Sequence, residues 1–312
     1  MMVSRTLSKY GRELLEAPLW FSEMLRFAVF RRQCQRDFAL VAKVADELCL
    51  PTLQESASER RPADGQTLFI LGGGSSVNDL TEENFMTIAS GTSVGINFWP
   101  IHDFVPSILS SESDSALDGD PFLNERLRTH QILSRPPQVF SLRTNWPVRK
   151  ESLQDFPEEL NRRRYVYGRA NIVTRKKQNL EADLMRILGA MIKEQLPPGI
   201  LPDNGSSVVR MTLWGVMQGF SRIVWVGVDQ DPGPYFWTDP RAGNVYKKAA
   251  KAVPRLSGAP HSTSSAKNRP FANDVFLPAL CRAIAKMTGT TVFVGSQKST
   301  LSEDVPVFDW AR

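Results

Sequence analysis

The chain has 312 residues, of which 42% are hydrophobic and 23% are charged, and its formal net charge is +5. This composition excludes a disordered chain and allows one large domain, or one domain with an appendage. Three cysteines without a zinc-binding spacing predict neither a disulfide framework nor a structural zinc site. The modest positive charge favours an anionic partner, and it suits a nucleotide sugar or a lipid surface as well as a nucleic acid.

The first 60 residues predict a helical N-terminal extension, because leucines and aromatic residues recur there at helical spacing. Several arginines lie among these apolar residues: Arg26, Arg31, Arg32 and Arg36. One interpretation is a helix packed on the catalytic body, and the other is a peripheral contact of residues 12–36 with an anionic membrane. The absence of a spanning apolar segment or a signal peptide favours a cytoplasmic protein, in the second case at the inner face of the cell membrane.

Residues 66–312 predict a doubly wound, mostly parallel Rossmann-like α/β sheet, because short apolar strands alternate with helices. The predicted strands are 67–71, 93–97, 104–109, 138–142, 222–228 and 291–294. Thr81 is the expected N-cap of one helix, Ser206 or Ser207 that of a second helix ending at Gly219, and residues 271–288 form the last helix.

The stretch at about 143–200 breaks this alternation and is interpreted as a lid or an insertion that carries an acceptor site. Seven of its basic residues follow one another with no acid between them: Arg162, Arg163, Arg164, Arg169, Arg175, Lys176 and Lys177. They predict either a basic wall that faces an anionic substrate or a solvated face.

A glycine-rich turn follows the first predicted strand and has the sequence Gly72, Gly73, Gly74, Ser75 and Ser76. Glycine lets a backbone approach a ligand closely, and N–H groups at a strand-to-helix turn can bind an anion. No dinucleotide fingerprint is present, because Val77 stands where that motif has its third glycine. The turn predicts a phosphate site, the alternative being a tight turn without a ligand.

Polar residues also end two other predicted strands. Asn97 closes the second strand, where its amide can hydrogen-bond a base or a sugar. Asp229 and Asp231 follow the strand at 222–228 in the Asp-x-Asp spacing by which many glycosyltransferases hold a divalent cation. These acids predict either a metal site or an anchor for the loop.

Two further candidates lie downstream. His261, in a polar loop before the last helix, can take a proton from a sugar hydroxyl near neutral pH, unless it is an inert loop histidine. Tyr235, Trp237 and Tyr246 follow the aspartates along the chain. They are near enough for a hydroxyl or an indole to reach the crevice at the ends of these strands.

In their order along the chain, these segments resemble the bacterial sialyltransferases of glycosyltransferase family 42 and their relatives of unassigned function. The resemblance covers about residues 66–300 and rests on the glycine turn at 70–77, Gly95-Ile96-Asn97, Gly205-Ser206-Ser207, the segment 219–229 and His261-Ser262. It implies a Rossmann-like enzyme with a flexible lid that transfers a CMP-activated nonulosonic acid with inversion and without a metal.

The resemblance also implies roles for individual residues. The glycine turn and Asn97 would bind the cytidine monophosphate, Ser206 and Ser207 would contact nucleotide or sugar, and Asp229 would belong to the same nucleotide site. His261 would be the general base, and Tyr235 would hydrogen-bond the departing phosphate. No cofactor and no metal are expected, and the partners are a CMP-sugar donor and a glycan or lipid-linked glycan acceptor, without nucleic acid.

The sequence departs from the family at the glycine turn, where Gly73 and Ser75 replace an asparagine and a proline. Donor identity is therefore open between CMP-sialic acid, CMP-Kdo and another activated sugar, and the acceptor would be a glycan or a lipopolysaccharide. Two alternatives stand beside the transferase. One is a magnesium-dependent pyrophosphokinase of the pterin type, in which Asp229 and Asp231 are metal ligands, and the other is a non-catalytic scaffold with a relic nucleotide site.

Overall fold

The computed structural model describes residues 19–53, 66–112, 121–142, 157–174, 176–231, 233–252 and 270–311. They contain one sheet of eight parallel strands in the order β6-β5-β4-β3-β2-β1-β7-β8. The strands are β1 (Thr67–Leu71), β2 (Thr92–Ile96), β3 (Ile108–Glu112), β4 (Gln138–Leu142), β5 (Arg164–Asn171), β6 (Ile200–Asp203), β7 (Arg222–Val226) and β8 (Thr291–Val294). The predicted parallel α/β fold is confirmed.

Helices connect these strands and cover both faces of the sheet. They are α1 (Leu19–Leu48), α2 (Glu82–Ser90), α3 (Pro121–Leu127), α4 (His130–Ser134), α5 (Glu158–Asn161), α6 (Lys177–Ile192), α7 (Ser207–Gln218), α8 (Lys247–Ala252) and α9 (Asn273–Thr288). The predicted N-cap of α2 is confirmed, because Thr81 and Asn84 form a reciprocal capping box. Ser206 is the N-cap of α7, which ends at Gly219 with a left-handed φ of 88°.

The alternation of strand side chains divides the core into two layers. Along β1, Leu68 and Ile70 belong to one apolar cluster and Phe69 and Leu71 to the other, because successive side chains of a strand point to opposite faces. The first cluster contains the buried faces of α1, α6, α7 and α9. The second contains buried residues of α2, α3, α4, α5 and α8. A parallel sheet covered on both faces explains why most residues of its strands are buried.

Two predictions about strand positions are wrong. The strand expected at 104–109 is β3, which begins only at Ile108, after Pro106, a residue without an N–H to donate to a sheet. The stretch 143–200 was also expected to break the alternation of strands and helices, but where the structure describes it, β5, α6 and β6 continue the alternation and extend the sheet. A lid or an acceptor site in this stretch stays a prediction. Its basic residues are correspondingly divided: Arg164 is completely buried, whereas Arg162 is exposed and pairs with Glu158.

The N-terminal helix α1 is packed into the fold. Its residues Phe30, Cys34 and Val41 are buried in the first apolar cluster, and Arg26 forms a two-nitrogen ion pair with Asp183 in α6. These contacts agree with the interpretation of a helix packed on the catalytic body. Across the described ranges, no helix is both long enough and apolar enough to cross a membrane. Membrane contact of residues 12–36 stays a prediction, and residues 12–18 lie outside the described part.

Candidate functional site

The strand order reverses beside β1, and this position defines the candidate site. From β1 the chain adds strands in sequence to one side as far as β6, and then α7 leads back to β7 on the other side of β1. Open α/β sheets bind ligands in the crevice outside the carboxyl ends of the strands at such a switch point. The glycine turn after β1 and the loop that begins at Gly227 after β7 both lie at this edge.

The glycine turn is held against the β7 loop by its own backbone. The N–H of Gly72 donates to Val226 O at 2.7 Å, and the N–H of Gly74 donates to Gly227 O at 2.8 Å. The predicted set of free N–H groups is therefore only partly present. Within the described part of the chain, the N–H groups of Gly73 and Ser75 make no hydrogen bond.

The Asp229 carboxylate binds the end of the turn. One of its oxygens accepts the N–H of Ser76 at 3.0 Å and the other accepts the Ser76 hydroxyl at 2.5 Å. Burial raises the pKa of Asp229, the hydrogen bonds from Ser76 lower it, and the negative charges of Asp231 and Asp79 raise it. Asp229 thus has the loop-anchoring role that the sequence left open, and a protein carboxylate already occupies part of the predicted anion cradle.

The loop that carries Asp229 is itself supported from the segment after β8. The Asp229 carbonyl accepts the N–H of Thr300 at 2.9 Å, and the Val228 carbonyl accepts the Ser299 hydroxyl at 2.8 Å. Asp231 turns to its own loop, where it accepts the N–H of Gly233 at 3.2 Å. In the ranges that the structure describes, no cluster of three or more His, Cys, Asp or Glu side chains suits a metal ion.

Two aromatic residues form a wall on the other side of the glycine turn. Tyr235 and Trp237 stack with ring centroids 4.6 Å apart, and a Cβ added at Gly73 would lie 2.9 Å from Tyr235 Cδ1 and 3.1 Å from Trp237 Cζ3. A side chain at position 73 would therefore collide with this wall. Burial raises the pKa of Tyr235 to about 12, so that its hydroxyl stays protonated at neutral pH. The buried Nε1 of Trp237 has no hydrogen-bond partner among the described residues.

Asn97 and Ser207 meet at the same edge although they are 110 residues apart. The Asn97 amide donates to the Ser207 hydroxyl at 3.3 Å, and Asn97 has a left-handed φ of 52°, a conformation that asparagine tolerates better than most residues. Phe98 contacts Trp237 with ring centroids 5.8 Å apart, which joins this pair to the aromatic wall. The structure therefore brings together three of the predicted segments: the glycine turn, Asn97 and the start of α7.

A buried ionic network supports the start of α7, and sequence reasoning missed it as a unit. Asp203, at the end of β6, accepts the N–H of Ser206 at 2.8 Å and an Nη1 hydrogen bond from Arg210 at 2.9 Å. Arg210 is completely buried, and its Nη2 donates to the Ser207 hydroxyl at 2.8 Å. Arg169, on β5, donates from Nη1 to the same Asp203 oxygen at 3.2 Å.

Asn273, the first residue of α9, joins this network and was also missed. It is completely buried, and its Nδ2 donates to the Ser206 hydroxyl at 3.3 Å. Its Oδ1 has no hydrogen-bond partner in the part of the chain that the structure describes. The signal in the sequence was the polar run Asp203 to Ser207 between a strand and a helix, which predicted a helix cap but not the arginines that bind it.

Of the histidines, His261 lies outside the described residues, so its predicted role as the base stays a prediction. His102 is part of the second apolar core, where it stacks on Trp99 with centroids 4.9 Å apart and contacts Phe236 and Tyr246. Burial lowers the pKa of His102 to about 4, and its Nδ1 accepts the N–H of Phe104 at 2.9 Å. His102 is accordingly a neutral structural histidine at physiological pH.

No protein-family model matches this sequence, and no curated protein matches it either. Among solved structures, the sialyltransferase CstII from Campylobacter jejuni in complex with cytidine monophosphate is 12% identical with a TM-score of 0.41, over 80% of this chain and 87% of that chain. The monofunctional α-2,3-sialyltransferase Cst-I from Campylobacter jejuni is 15% identical with a TM-score of 0.43, over 80% and 82% of the two chains.

Proposed function

We propose that this chain is an inverting glycosyltransferase that moves a nonulosonic acid, a sialic acid or a Kdo-like sugar, from a CMP-activated donor to a glycan or lipopolysaccharide hydroxyl. The observation that carries the proposal is the meeting of Asn97 and Ser207 at the switch point of the sheet, beside the glycine turn. These segments are far apart in the sequence, and the family resemblance rests on the same segments. Their contact supports a single ligand crevice formed by all three.

In this proposal the donor nucleotide is bound mainly by neutral groups. The N–H groups of Gly73 and Ser75 are the donors available to it, and the Asn97 amide, which uses one N–H on Ser207, has a second N–H to donate. Asp229 has a positioning role, because its oxygens accept hydrogen bonds from Ser76 and hold the turn in shape. A glycine at position 73 lets the turn pack directly against the aromatic wall, because a Cβ there would lie 2.9 Å from Tyr235 Cδ1.

The reaction breaks the bond between the anomeric carbon and the phosphate oxygen of CMP and forms a bond from that carbon to the acceptor oxygen. The acceptor proton goes to His261 as the general base, and the electron pair of the broken bond stays on the phosphate. Tyr235 is suited to stabilise that phosphate, because its neutral phenol hydroxyl can donate a hydrogen bond to the developing charge.

We propose that the transfer needs no metal. Both oxygens of Asp229 accept hydrogen bonds from Ser76, and a leaving group with a single phosphate can be stabilised by N–H and hydroxyl donors. EDTA tests this point directly. A transfer rate that collapses with EDTA, together with consumption of ATP, would favour the magnesium-dependent pyrophosphokinase instead.

The site of action in the cell is a further part of the proposal: a cytoplasmic enzyme that meets a lipid-linked acceptor at the inner face of the membrane. The exposed Arg31 and Arg32 of α1 are the cations available for such a contact, since Arg26 is paired with Asp183. Sedimentation with vesicles that contain anionic lipid measures it. Equal recovery with neutral vesicles would remove the membrane contact and leave the transferase untouched.

The function is tested by CMP release from CMP-sialic acid and from CMP-Kdo, with glycan and lipopolysaccharide acceptors. Wild-type protein should release CMP in an acceptor-dependent manner, and His261→Ala should lower the rate by about 10²- to 10⁴-fold. His130→Ala, at an exposed histidine of α4, is the matched control and should keep the wild-type rate. Full activity of His261→Ala would refute the base assignment, and absence of both CMP release and thermal stabilisation by CMP would favour the non-catalytic scaffold.

A further inference from the structure

We propose that Arg169 is an anion-binding residue of the candidate site and that Asp203 holds its guanidinium in place for this purpose. The ligand group is a carboxylate or a phosphate of the substrate. The inference rests on the proposed function for the identity of the donor, but the binding of an anion at Arg169 can be tested without it.

The first step is the geometry of the Arg169 side chain. One nitrogen, Nη1, donates to Asp203 at 3.2 Å, and 34% of the side chain is exposed. Nε and Nη2 make no hydrogen bond within the described ranges of the chain. The hydrogen bond to Asp203 directs the guanidinium, and the planar group leaves Nε and Nη2 in the fork geometry that binds two oxygens of an anion.

The second step is the charge of the surroundings. The same Asp203 oxygen that accepts from Arg169 also accepts from Arg210, and both Asp203 and Arg210 are completely buried. A buried carboxylate needs one cation close by, and Arg210 supplies it at the shorter distance of 2.9 Å. The Arg169 charge is therefore not required to neutralise Asp203, and it adds positive potential at the accessible end of the network.

The third step is the position of this network at the edge of the sheet. Asp203 also binds the N–H of Ser206, and Arg210 binds the hydroxyl of Ser207, so the arginines and the start of α7 form one connected unit. The N-terminus of a helix attracts an anion through its free N–H groups. Close by, the completely buried Asn273 leaves its Oδ1 without a hydrogen-bond partner among the described residues, next to its contact with Ser206. This acceptor without a partner is a second, independent sign of a ligand. It suits a hydroxyl or an amide N–H elsewhere on the ligand whose anionic group Arg169 binds.

Arg169→Gln tests the proposal, because glutamine removes the charge and keeps a polar side chain. Arg186→Gln is the matched control: Arg186 is 37% exposed and has one carboxylate partner, Glu23 at 2.9 Å, on the helix pair α1 and α6. Calorimetry at low salt measures binding of CMP, CMP-N-acetylneuraminate and inorganic phosphate to each variant. Arg169→Lys is the second variant; it retains a charge without the fork, and it serves if Arg169→Gln lowers the melting temperature too far for titration.

Arg169→Gln should weaken binding of the anion on the order of 10- to 100-fold, while Arg186→Gln stays at the wild-type value and Arg169→Lys lies between them. A loss confined to CMP-N-acetylneuraminate identifies the sugar carboxylate as the ligand group, and an equal loss for CMP identifies the phosphate. If no probe distinguishes Arg169→Gln from Arg186→Gln, the proposal is overturned.

The experiment also distinguishes a wrong proposed function from a wrong role of Arg169. If wild-type protein binds neither nucleotide, the transferase is wrong, and Arg169 is then judged on inorganic phosphate alone, followed by ³¹P NMR. Weaker phosphate binding by Arg169→Gln than by wild type upholds the anion site without the transferase. Equal phosphate binding by the two proteins overturns it.

Discussion

A methyl group at Gly74 should disrupt the candidate site from inside. A Cβ added there would overlap the Asp229 carboxylate, with Cγ of that residue at 2.6 Å and the Gly227 carbonyl oxygen at 2.8 Å. Asp229 is only 5% exposed and is held by Ser76, and the Gly227 oxygen is a backbone atom that accepts the Gly74 N–H. Gly74→Ala must therefore push the turn away from the β7 loop or break the contact between Asp229 and Ser76.

The size of the effect follows from these two contributions. Overpacking a buried site by one methyl group costs about 1–3 kcal/mol, and a hydrogen bond to a charged group contributes about 1.5–3 kcal/mol. The two costs do not simply add, because a turn that moves away from the β7 loop relieves the overlap but breaks the hydrogen bonds. We therefore expect Gly74→Ala to lower the free energy of unfolding by about 2–4 kcal/mol.

Urea unfolding followed by tryptophan fluorescence measures this change, and the chain contains seven tryptophans as probes. Gly189→Ala is the control: it lies inside α6, and the nearest atom to an added Cβ is Met287 Cε at an ordinary 3.5 Å. This control should be neutral or more stable by roughly 0.5–1 kcal/mol, since alanine favours a helix over glycine. A Gly74→Ala protein within about 0.5 kcal/mol of wild type, with thermal stabilisation by CMP intact, would refute the packed turn and its part in binding.

Three further predictions concern stability. Thr81→Ala should cost about 1 kcal/mol in urea unfolding, because it removes the acceptor of the Asn84 N–H in the capping box, and Thr81→Ser should restore most of it. The buried His102 has a pKa of about 4, so the unfolded chain takes up the proton first as the pH falls. Wild-type protein should therefore lose stability between about pH 6.5 and pH 4. His102→Phe should be less stable than wild type but should lack this slope in urea titrations at different pH values. Asp229 should have the opposite effect on the pH dependence of stability. Its raised pKa makes the folded protein hold the proton to a higher pH than the unfolded chain does, so stability falls as the pH rises. Asp229→Asn should flatten that part of the stability curve, and an unchanged curve would contradict the burial of Asp229 as a charged group.

The sequence predicted strands in the centre and at the β8 edge of the sheet, but it missed the two strands at the opposite edge. The strands at 67–71, 138–142 and 291–294 were predicted to the residue, because each is a short apolar run bounded by turn residues. β5 and β6 were missed. β5 begins with Arg164 in the middle of a basic run, and its burial depends on a side-chain partner, Ser141, on the neighbouring strand. β6 has only four residues and contains Pro202, so that neither periodicity nor composition identifies it.

In the candidate site, some contacts follow from the order of strands and helices, whereas others depend on how distant segments pack. Proximity of Asn97 to Ser207 follows from the general rule that strand ends and helix starts meet at one edge of a parallel sheet. The contact between Asp229 and Ser76 spans 153 residues, and only the packing of the β7 loop against the glycine turn decides it. The sequence thus predicted that these segments meet at one edge of the sheet, but it assigned the glycine turn more free N–H groups than the turn has, because Val226 and Gly227 supply competing acceptors.

The charges along the carboxyl edge argue for one orientation of the proposed donor. At the β7 side, Asp229 and Asp231 place acidic groups beside the glycine turn, and the turn's remaining N–H donors are few. At the side of β5 and β6, Arg169 and Arg210 surround a single carboxylate and support the positive end of α7. An anionic group bound next to Asp229 would be repelled, whereas the same group near the start of α7 would be stabilised. The neutral nucleoside of a CMP-sugar therefore suits the glycine turn and its aromatic wall, and the sugar carboxylate suits the arginine side of the crevice, with the phosphate between the two, where Tyr235 is proposed to bind it.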